Sequence, residues 1–163
     1  MNEHEINHLV EQLAAALLGK GWRLATAESC TGGWVAKCCT DLAGSSTWFE
    51  RGFITYSDAA KINMLNVQPT ALQQHGAVSE AVARQMVQGA RRSAALEAAL
   101  AVTGIAGPDG GSAEKPVGTV WFAWDIEGRE TSSECKHFDG DRESVRRQSV
   151  MHALQGLLQR LTT

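Results

Sequence analysis

Residues 22–42 read WRLATAESCTGGWVAKCCTDL, in which a small apolar segment passes through a polar turn into a second segment rich in apolar residues. We predict a strand at 22–28 and a helix at 31–42, joined by the turn TAESCTGG at 26–33. Strands that lead directly into helices are the repeating unit of α/β folds. Three neighbouring side chains of the turn could act as nucleophiles: Ser29, Cys30 and Thr31.

Helical and strand-like patterns alternate along the rest of the chain. The further predicted helices cover 4–19, 58–65, a short turn at 72–76, the segment from the N-cap Ser79 to about 94, and the segment after the N-cap Asp141. The further predicted strands cover 51–57, 98–104, 117–126 and 130–138. We predict that residues 1–163 form a single three-layer α/β/α domain around a mixed, mostly parallel sheet.

The charge balance of the chain is slightly acidic, with 15 Lys and Arg against 18 Asp and Glu and a formal net charge of -3. This balance argues against broad binding to nucleic acids or anionic membranes, because both require a basic surface. No apolar run has the length of a membrane span, and the N-terminus is acidic and amphipathic rather than a signal peptide. We therefore expect a cytoplasmic protein without nucleic-acid or membrane partners.

The four cysteines form no C-x-x-C pair, and no histidine stands at zinc-finger spacing from them. In a cytoplasmic protein such cysteines are typically reduced packing residues. We predict that they form no disulfide and hold no metal.

Polar loops follow three of the predicted strands, at 28–33, 56–61 and 103–116. If these strands are parallel, their carboxyl ends meet at one edge of the sheet, where α/β proteins bind ligands. The three loops are then expected to line one crevice.

The turn ESCTGG, residues 28–33, has the composition of an active-site turn at the start of a helix. The first N–H groups of a helix lack internal partners, so they can stabilise the oxyanion that forms when a hydroxyl attacks a carbonyl. The glycines allow a substrate to approach the backbone closely. The alternative is structural, with Ser29 or Thr31 serving only as a helix N-cap.

Lys61 is the candidate general base, because the five histidines offer no obvious Ser–His–Asp set. It lies in a short predicted helix directly after a strand, next to Tyr56 and Ser57. A lysine that is desolvated in a cleft can lose its proton near neutral pH and activate a serine. A solvated helix lysine is the alternative.

The loop TGIAGPDGG at 103–111 is rich in glycine, so its backbone N–H groups could contact a phosphate or an oxyanion. It matches neither a Walker A motif nor a dinucleotide-binding fingerprint. An ordinary long loop is an equally simple interpretation of this segment.

The final helix carries Arg142 and Arg146 four residues apart, so both lie on one face. The same row continues to Val150 and Leu154 on the apolar stripe, which directs the two arginines inward. Paired arginines near a helix N-terminus suit a phosphate group. Ion pairs with carboxylates near the start of the helix are the alternative.

Six segments of the chain together resemble the CinA C-terminal-domain family, over about residues 6–160. They are TAESCTGGWVA, DLAGSSTWFERGFITYS, KINML, HGAVSE, VTGIAGPDGGSAEKPVGTVWFAW and GDRESVRRQ. The resemblance implies a serine amidohydrolase without metal or cofactor. Its implied reaction is hydrolysis of the carboxamide of nicotinamide mononucleotide to nicotinate mononucleotide and ammonia, in pyridine nucleotide (NAD) salvage.

The resemblance also assigns roles to particular residues. It implies Ser29 as nucleophile and Lys61 as base in a Ser/Lys dyad, with Tyr56 as a further catalytic residue and the 103–111 glycine loop beside them. With the arginines and the turn, the expected substrate-binding set is Thr31, Gly32, Gly33, Thr103, Gly104, Gly107, Arg142 and Arg146. We expect Cys30 to turn inward as a packing residue.

Two alternatives stay open from the sequence. The chain could be a catalytically silent relative that binds a nucleotide or a protein partner, or an amidohydrolase for another small amide. We also expect a homo-oligomer, most simply a homodimer, with exposed aromatic side chains near Trp48 and Phe49 as the contact.

Overall fold

A computed structural model describes residues 2–163 of the chain. The helices are α1 (Glu3–Lys20), α2 (Trp34–Asp41), α3 (Asp58–Leu65), α4 (Pro69–His75), α5 (Glu80–Arg92) and α6 (Arg142–Leu161). The strands are β1 (Leu24–Glu28), β2 (Phe49–Ile54), β3 (Ala98–Gly104), β4 (Thr119–Ile126) and β5 (Ser132–His137). A short 3-10 helix, Ser45–Thr47, precedes β2.

The five strands form one sheet in the order β2-β1-β3-β4-β5. Strand β1 pairs in parallel with both β2 and β3, and β4 pairs antiparallel with both β3 and β5. Every strand except β4 therefore runs in the same direction. The predicted mixed, mostly parallel sheet is confirmed.

Helices cover both faces of the sheet because the central strands alternate between two cores. On one face, Leu100 and Val102 of β3 pack with α1, α2 and α6. On the other face, Ala99 and Ala101 pack with helices α3 to α5. The small side chains on the second face let α5 approach the sheet closely. The predicted three-layer α/β/α arrangement is confirmed.

The N-caps that were predicted for the last two long helices are present. The Ser79 hydroxyl accepts from Val82 N at the start of α5, and the Asp141 carboxylate accepts from Ser144 N at the start of α6. Both satisfy backbone donors that a helix leaves unpaired. Among residues 2–163 no helix combines the length and the apolar character that crossing a membrane requires.

The expectation of an exposed aromatic contact near Trp48 is wrong. The Trp48 side chain is 1% exposed and belongs to the core beneath α1 and α2. Its carbonyl accepts a hydrogen bond from Leu24 N, which holds it against the start of β1. Phe49 is half-buried and packs against the same core. A homodimer stays a prediction, without a contact at these aromatics.

Candidate active site

The three polar loops meet at one edge of the sheet, as the sequence predicted. Strands β2, β1 and β3 are parallel neighbours, so the segments that follow them share the carboxyl edge. Ser29 follows β1, Lys61 lies in α3 after β2, and the glycine loop begins at the end of β3.

Ser29 and Lys61 are in direct contact. The Lys61 Nζ lies 3.0 Å from Ser29 Oγ, 2.9 Å from the Thr55 carbonyl oxygen and 3.1 Å from the Tyr56 carbonyl oxygen. Lys61 is 1% exposed and Ser29 is 8% exposed. Burial lowers the pKa of Lys61, and the nearby charge of Asp58 offsets that shift only in part. The solvated-lysine alternative is therefore excluded.

The three partners of Nζ fit both protonation states of Lys61, because a protonated amine donates to all three of them, Ser29 Oγ included. The carbonyls of Thr55 and Tyr56 can only accept, so each takes one N–H of the amine. A neutral amine has two N–H groups and one lone pair, and its lone pair then faces the Ser29 hydroxyl. The geometry is that of a base positioned to remove the serine proton.

Short local contacts hold this pair in place. Ser29 N donates to Val102 O of β3, and Thr55 N donates to Glu28 O, which extends the β1–β2 pairing past the strand end. The Ser57 hydroxyl caps α3 by accepting from Ala60 N. The cap starts α3 at a fixed position and so fixes the position of Lys61.

The turn after Ser29 depends on two glycines in the left-handed region. Gly32 has φ +60° and Gly33 has φ +101°, where other residues are strained. A Cβ on Gly33 would lie 2.9 Å from Ile54 Cδ1 of β2. Helix α2 therefore begins at Trp34, three residues later than the sequence predicted.

Cys30 points into the core, as predicted. It is buried, and burial raises the pKa of its thiol to about 12. The reactive thiolate is therefore scarce at neutral pH.

Glu28 has a structural role in the turn that the sequence analysis missed. Its buried carboxylate accepts hydrogen bonds from the Thr31 hydroxyl at 2.6 Å, from Val35 N at 2.8 Å and from Ala36 N at 3.1 Å. A carboxylate at a helix N-terminus is favoured by the helix dipole and satisfies donors there. The signal was an acidic residue at the end of an otherwise apolar strand, directly before a helix.

Glu28 also changes the expected role of Thr31. The N-cap of α2 is Gly33, without a side-chain cap, so the proposal that Thr31 caps the helix is wrong. The Thr31 side chain is fully buried and its hydroxyl donates to Glu28. The whole residue is 0% exposed, so a contact of Thr31 with a substrate stays a prediction.

Arg146 binds the same turn from the other side. Its Nε donates to the Cys30 carbonyl at 3.0 Å and its Nη2 donates to the Thr31 carbonyl at 3.2 Å. The guanidinium carbon lies 5.5 Å from the centre of the Trp34 ring. Arg146 therefore contacts the main chain directly after Ser29.

Arg142 lies at the mouth of the crevice. Its Nη1 donates to the Gly107 carbonyl at 2.8 Å and its Nη2 donates to the Tyr56 hydroxyl at 3.2 Å. It is exposed and makes no ion pair with a carboxylate among the residues described, so the ion-pair alternative is not found. Neighbouring Glu143 pairs with Arg147 instead. The remaining N–H groups of Arg142 are available to an anion.

Tyr56 contributes to the site through two different groups. Its carbonyl accepts from Lys61, whereas its hydroxyl lies on Arg142. The residue is 61% exposed. The hydroxyl is thus hydrogen-bonded to Arg142. Within residues 2–163 it is bonded neither to Lys61 nor to Ser29.

The glycine loop is held by contacts of its own. The Thr103 hydroxyl is buried and donates to Ala77 O, and Lys115 Nζ donates to His75 O at 2.6 Å. Gly104 is packed so closely that a Cβ would lie 2.7 Å from Val120 Cγ2. Thr103 and Gly104 therefore shape the loop, whereas Gly107 offers its carbonyl to Arg142.

A cleft of about 520 Å³ lies beside the turn, between the start of α1, α2 and α6. Its lining includes Gly32, Trp34, Arg146 and Arg147, but neither Ser29 nor Lys61. It borders the Arg146 side of the turn. Among residues 2–163 no group of three or more His, Cys, Asp or Glu side chains could hold a metal ion.

Known proteins share both the sequence and the fold. Residues 6–161 match the model of the CinA C-terminal domain. The nicotinamide-nucleotide amidohydrolase PncC of Escherichia coli (strain K12) is 54% identical over 159 residues, which cover 98% of this chain and 96% of that protein.

Solved structures from two further bacteria agree. The competence damage-inducible protein A (ComA) from Klebsiella pneumoniae subsp. pneumoniae MGH 78578 is 42% identical with a TM-score of 0.92, covering 96% of this chain and 97% of that chain. The competence/damage inducible protein CihA from Agrobacterium tumefaciens is 40% identical with a TM-score of 0.93, covering 100% and 98%. The chain is a member of the CinA C-terminal domain family.

Proposed function

We propose that this protein hydrolyses the carboxamide of nicotinamide mononucleotide, giving nicotinate mononucleotide and ammonia, through a Ser29/Lys61 dyad. The observation that carries the proposal is the buried hydrogen bond between Lys61 Nζ and Ser29 Oγ at 3.0 Å. The substrate is supported by the relative at 54% identity, which is named a nicotinamide-nucleotide amidohydrolase. The reaction belongs to pyridine nucleotide salvage, in the cytoplasm, and residues 1–163 act as one domain.

The first half of the reaction transfers the nicotinoyl group to the enzyme. Neutral Lys61 removes the proton of Ser29 Oγ, and the oxygen attacks the carboxamide carbon. The carbonyl oxygen becomes an oxyanion in the tetrahedral intermediate. Protonated Lys61 then gives its proton to the amide nitrogen, the C–N bond breaks, and ammonia leaves an ester on Ser29.

The second half returns the enzyme to its starting state. Lys61, neutral again, removes a proton from water, which attacks the ester carbon. The bond to Ser29 Oγ breaks, and Lys61 returns the proton to that oxygen. The products are nicotinate mononucleotide and free Ser29.

The oxyanion needs nearby donors, and the turn after Ser29 is their expected source. The N–H groups of Cys30 and Gly33 have no hydrogen-bond acceptor within the described part of the chain, whereas Gly32 N–H is bonded to Ser29 O. Unbonded backbone N–H groups beside the nucleophile are suited to an oxyanion.

The phosphate is assigned to Arg142. Its guanidinium is exposed at the mouth of the crevice and is steadied by Gly107 O and the Tyr56 hydroxyl. Charge-assisted hydrogen bonds from a guanidinium to a phosphate are strong and directional. A substrate with its amide at Ser29 and its phosphate at Arg142 spans the crevice.

Ammonia release from nicotinamide mononucleotide by the purified protein tests the proposal. We expect turnover by the wild type and a loss of about a thousandfold or more in kcat for Ser29→Ala and for Lys61→Met. Cys30→Ala is expected to keep most of the activity, because the thiol is buried and protonated. An active Ser29→Ala beside an inactive Cys30→Ala would transfer the nucleophile to Cys30.

A substrate panel separates this function from its alternatives. Free nicotinamide and nicotinamide riboside carry the same amide without the phosphate. Equal turnover of all three compounds would indicate a general small-amide hydrolase. Tight binding of the mononucleotide without turnover would indicate a silent binding protein.

A further inference from the structure

We propose that Tyr56 recognises the positive charge of the substrate ring. Its aromatic face lies against the pyridinium ring of nicotinamide mononucleotide and selects N-substituted pyridinium carboxamides over neutral analogues. This role rests on the proposed function and deepens it. It departs from the expectation that Tyr56 is a catalytic residue.

Tyr56 connects the two ends of the site. Its carbonyl accepts from Lys61 Nζ at 3.1 Å, and the same nitrogen lies 3.0 Å from Ser29 Oγ, where the amide is attacked. Its hydroxyl accepts from Arg142 Nη2 at 3.2 Å, where the phosphate is assigned. In the substrate, the pyridinium ring and the ribose separate the carboxamide from the phosphate. A substrate that reaches both ends therefore carries its ring along the Tyr56 side chain.

The Tyr56 ring is held in place and is open to solvent. The residue is 61% exposed, whereas every Trp and Phe among residues 2–163 is buried or half-buried. Within that part of the chain it makes no contact with another aromatic ring. Its main chain and the hydroxyl at its tip are both hydrogen-bonded, which fixes the ring between them. An aromatic face that is fixed but not used for packing is suited to a ligand.

Two further exposed apolar side chains border the same crevice. Ile54 ends β2, and its Cδ1 lies 2.9 Å from the position that a Cβ on Gly33 would take. Val117 packs against Gly107, whose carbonyl accepts from Arg142. Apolar side chains therefore reach the crevice from the turn and from the glycine loop, which suits a flat ring.

The charge of the ring distinguishes the substrate from free nicotinamide. In nicotinamide mononucleotide the ring nitrogen is bonded to ribose and carries a permanent positive charge, whereas free nicotinamide is neutral. The face of a tyrosine ring attracts a cation. The negative charge of Asp58 also acts in this site, since it partly offsets the lowering of the Lys61 pKa by burial. The positive charge of Arg142 opposes a cation, but it lies at the end where the substrate brings its phosphate.

The experiment compares two ligands that differ in the charge of the ring. Nicotinamide mononucleotide and its 1,4-dihydro form share the carboxamide, the ribose and the phosphate, but the reduced ring is neutral. Calorimetry measures both dissociation constants for Ser29→Ala, which binds without turnover. The same measurement is made with Tyr56→Phe, Tyr56→Leu or Arg142→Ala added to Ser29→Ala. Thermal unfolding of each variant reports whether it folds.

We expect Ser29→Ala to bind the mononucleotide about 5- to 30-fold more tightly than the reduced form. Tyr56→Phe keeps the aromatic face, so this ratio should stay within about twofold. Tyr56→Leu keeps an apolar side chain without that face, so the ratio should fall toward one. Arg142→Ala is the matched control, because both ligands carry the phosphate. It should weaken both equally and leave the ratio unchanged.

Equal affinity of Ser29→Ala for the two ligands, or an unchanged ratio in Tyr56→Leu, would overturn the proposal. An equal fall of the ratio in Tyr56→Phe would assign the selectivity to the hydroxyl and also overturn it. A wild type that releases no ammonia, beside a Ser29→Ala chain that binds the mononucleotide, refutes only the proposed reaction. The affinity ratios then still decide the role of Tyr56. A protein that neither binds nor hydrolyses the mononucleotide refutes both.

Discussion

Lys61 Nζ and Ser29 Oγ lie 3.0 Å apart in a buried pair, and the two carbonyls beside the amine leave its third position facing the serine. The two residues are supplied by the segments after neighbouring parallel strands. The pairing therefore depends on the register of β1 with β2, which the Thr55 N to Glu28 O hydrogen bond continues past the strands.

The pH dependence of activity should report the state of Lys61. Burial lowers the pKa of Lys61, and only the neutral amine can accept the serine proton. We expect kcat/KM to be lost as the pH falls through this lowered pKa and to reach its plateau below the ordinary pKa of lysine. The measurement is kcat/KM for nicotinamide mononucleotide across the pH range in which the protein stays folded.

A control separates this ionisation from others in the site. Ser29→Cys carries a nucleophile that ionises by itself, so any residual activity should show a different pH profile. An activity of the wild type that is flat down to the range of carboxylates would contradict a neutral lysine as base.

Arg142→Ala should raise the KM for nicotinamide mononucleotide while leaving kcat nearly unchanged. Loss of a charge-assisted hydrogen bond to phosphate is worth about 1.5–3 kcal/mol, or about 10- to 100-fold in KM. Nicotinamide riboside should show no such change, because it lacks the phosphate. A similar rise in KM for both compounds would place Arg142 on another part of the substrate.

Tyr56→Phe distinguishes two roles of the tyrosine. If its hydroxyl only steadies Arg142, as their 3.2 Å contact suggests, the variant should raise KM by less than Arg142→Ala and keep kcat within about threefold. The main-chain contact with Lys61 is unaffected by the change. A collapse of kcat with normal KM would instead assign the hydroxyl to proton transfer toward ammonia.

Glu28→Gln should destabilise the turn. The carboxylate accepts from two backbone N–H groups and a hydroxyl, whereas an amide has one acceptor oxygen. Whichever way the amide is turned, its NH₂ faces at least one backbone N–H, so a buried donor loses its partner. We expect a loss of about 2 kcal/mol in the free energy of unfolding, measured by urea denaturation.

Thr31→Val is the matched control for Glu28. It removes the hydroxyl that donates to Glu28 and leaves both backbone contacts of the carboxylate, so its cost should be about 1 kcal/mol. A Glu28→Gln protein as stable as the wild type would show that the carboxylate is not needed to hold the start of α2.

The layered fold could be predicted because its signals are local. The apolar stripe of α6, the caps Ser79 and Asp141, and the small apolar strand β3 each follow from spacing within one segment. Lys61 could be predicted as the candidate base because it lies in a short helix directly after a strand, and because the histidines offer no obvious Ser–His–Asp set. The burial of Trp48 was not predictable in the same way, since the core that it joins includes residues of α1 and α6, which are distant in sequence.

The sequence also could not predict that Arg142 and Arg146 make different contacts. Helical spacing places Arg142 and Arg146 on one face, and it says nothing of what each meets there. One meets a tyrosine hydroxyl and a loop carbonyl, and the other meets the main chain of the turn. The sequence did carry a signal for Glu28, an acidic residue directly before a helix, but spacing alone does not show which backbone N–H groups its carboxylate meets.

Gly33→Ala should destabilise the protein through two separable effects. The residue has φ +101°, which strains any side chain, and its new Cβ would lie 2.9 Å from Ile54 Cδ1. The backbone strain costs about 1–2 kcal/mol, and the clash adds to it. In an Ile54→Val background the terminal methyl carbon is gone, so the added cost of Gly33→Ala should fall but stay above zero.

Gly19→Ala in α1 is the comparison, because no atom lies within 4 Å of its Cβ position and its φ is not positive. That change should stabilise the protein by about 0.5–1 kcal/mol. Equal costs of Gly33→Ala in the two backgrounds, measured by urea denaturation, would mean that the backbone conformation alone requires glycine at this position.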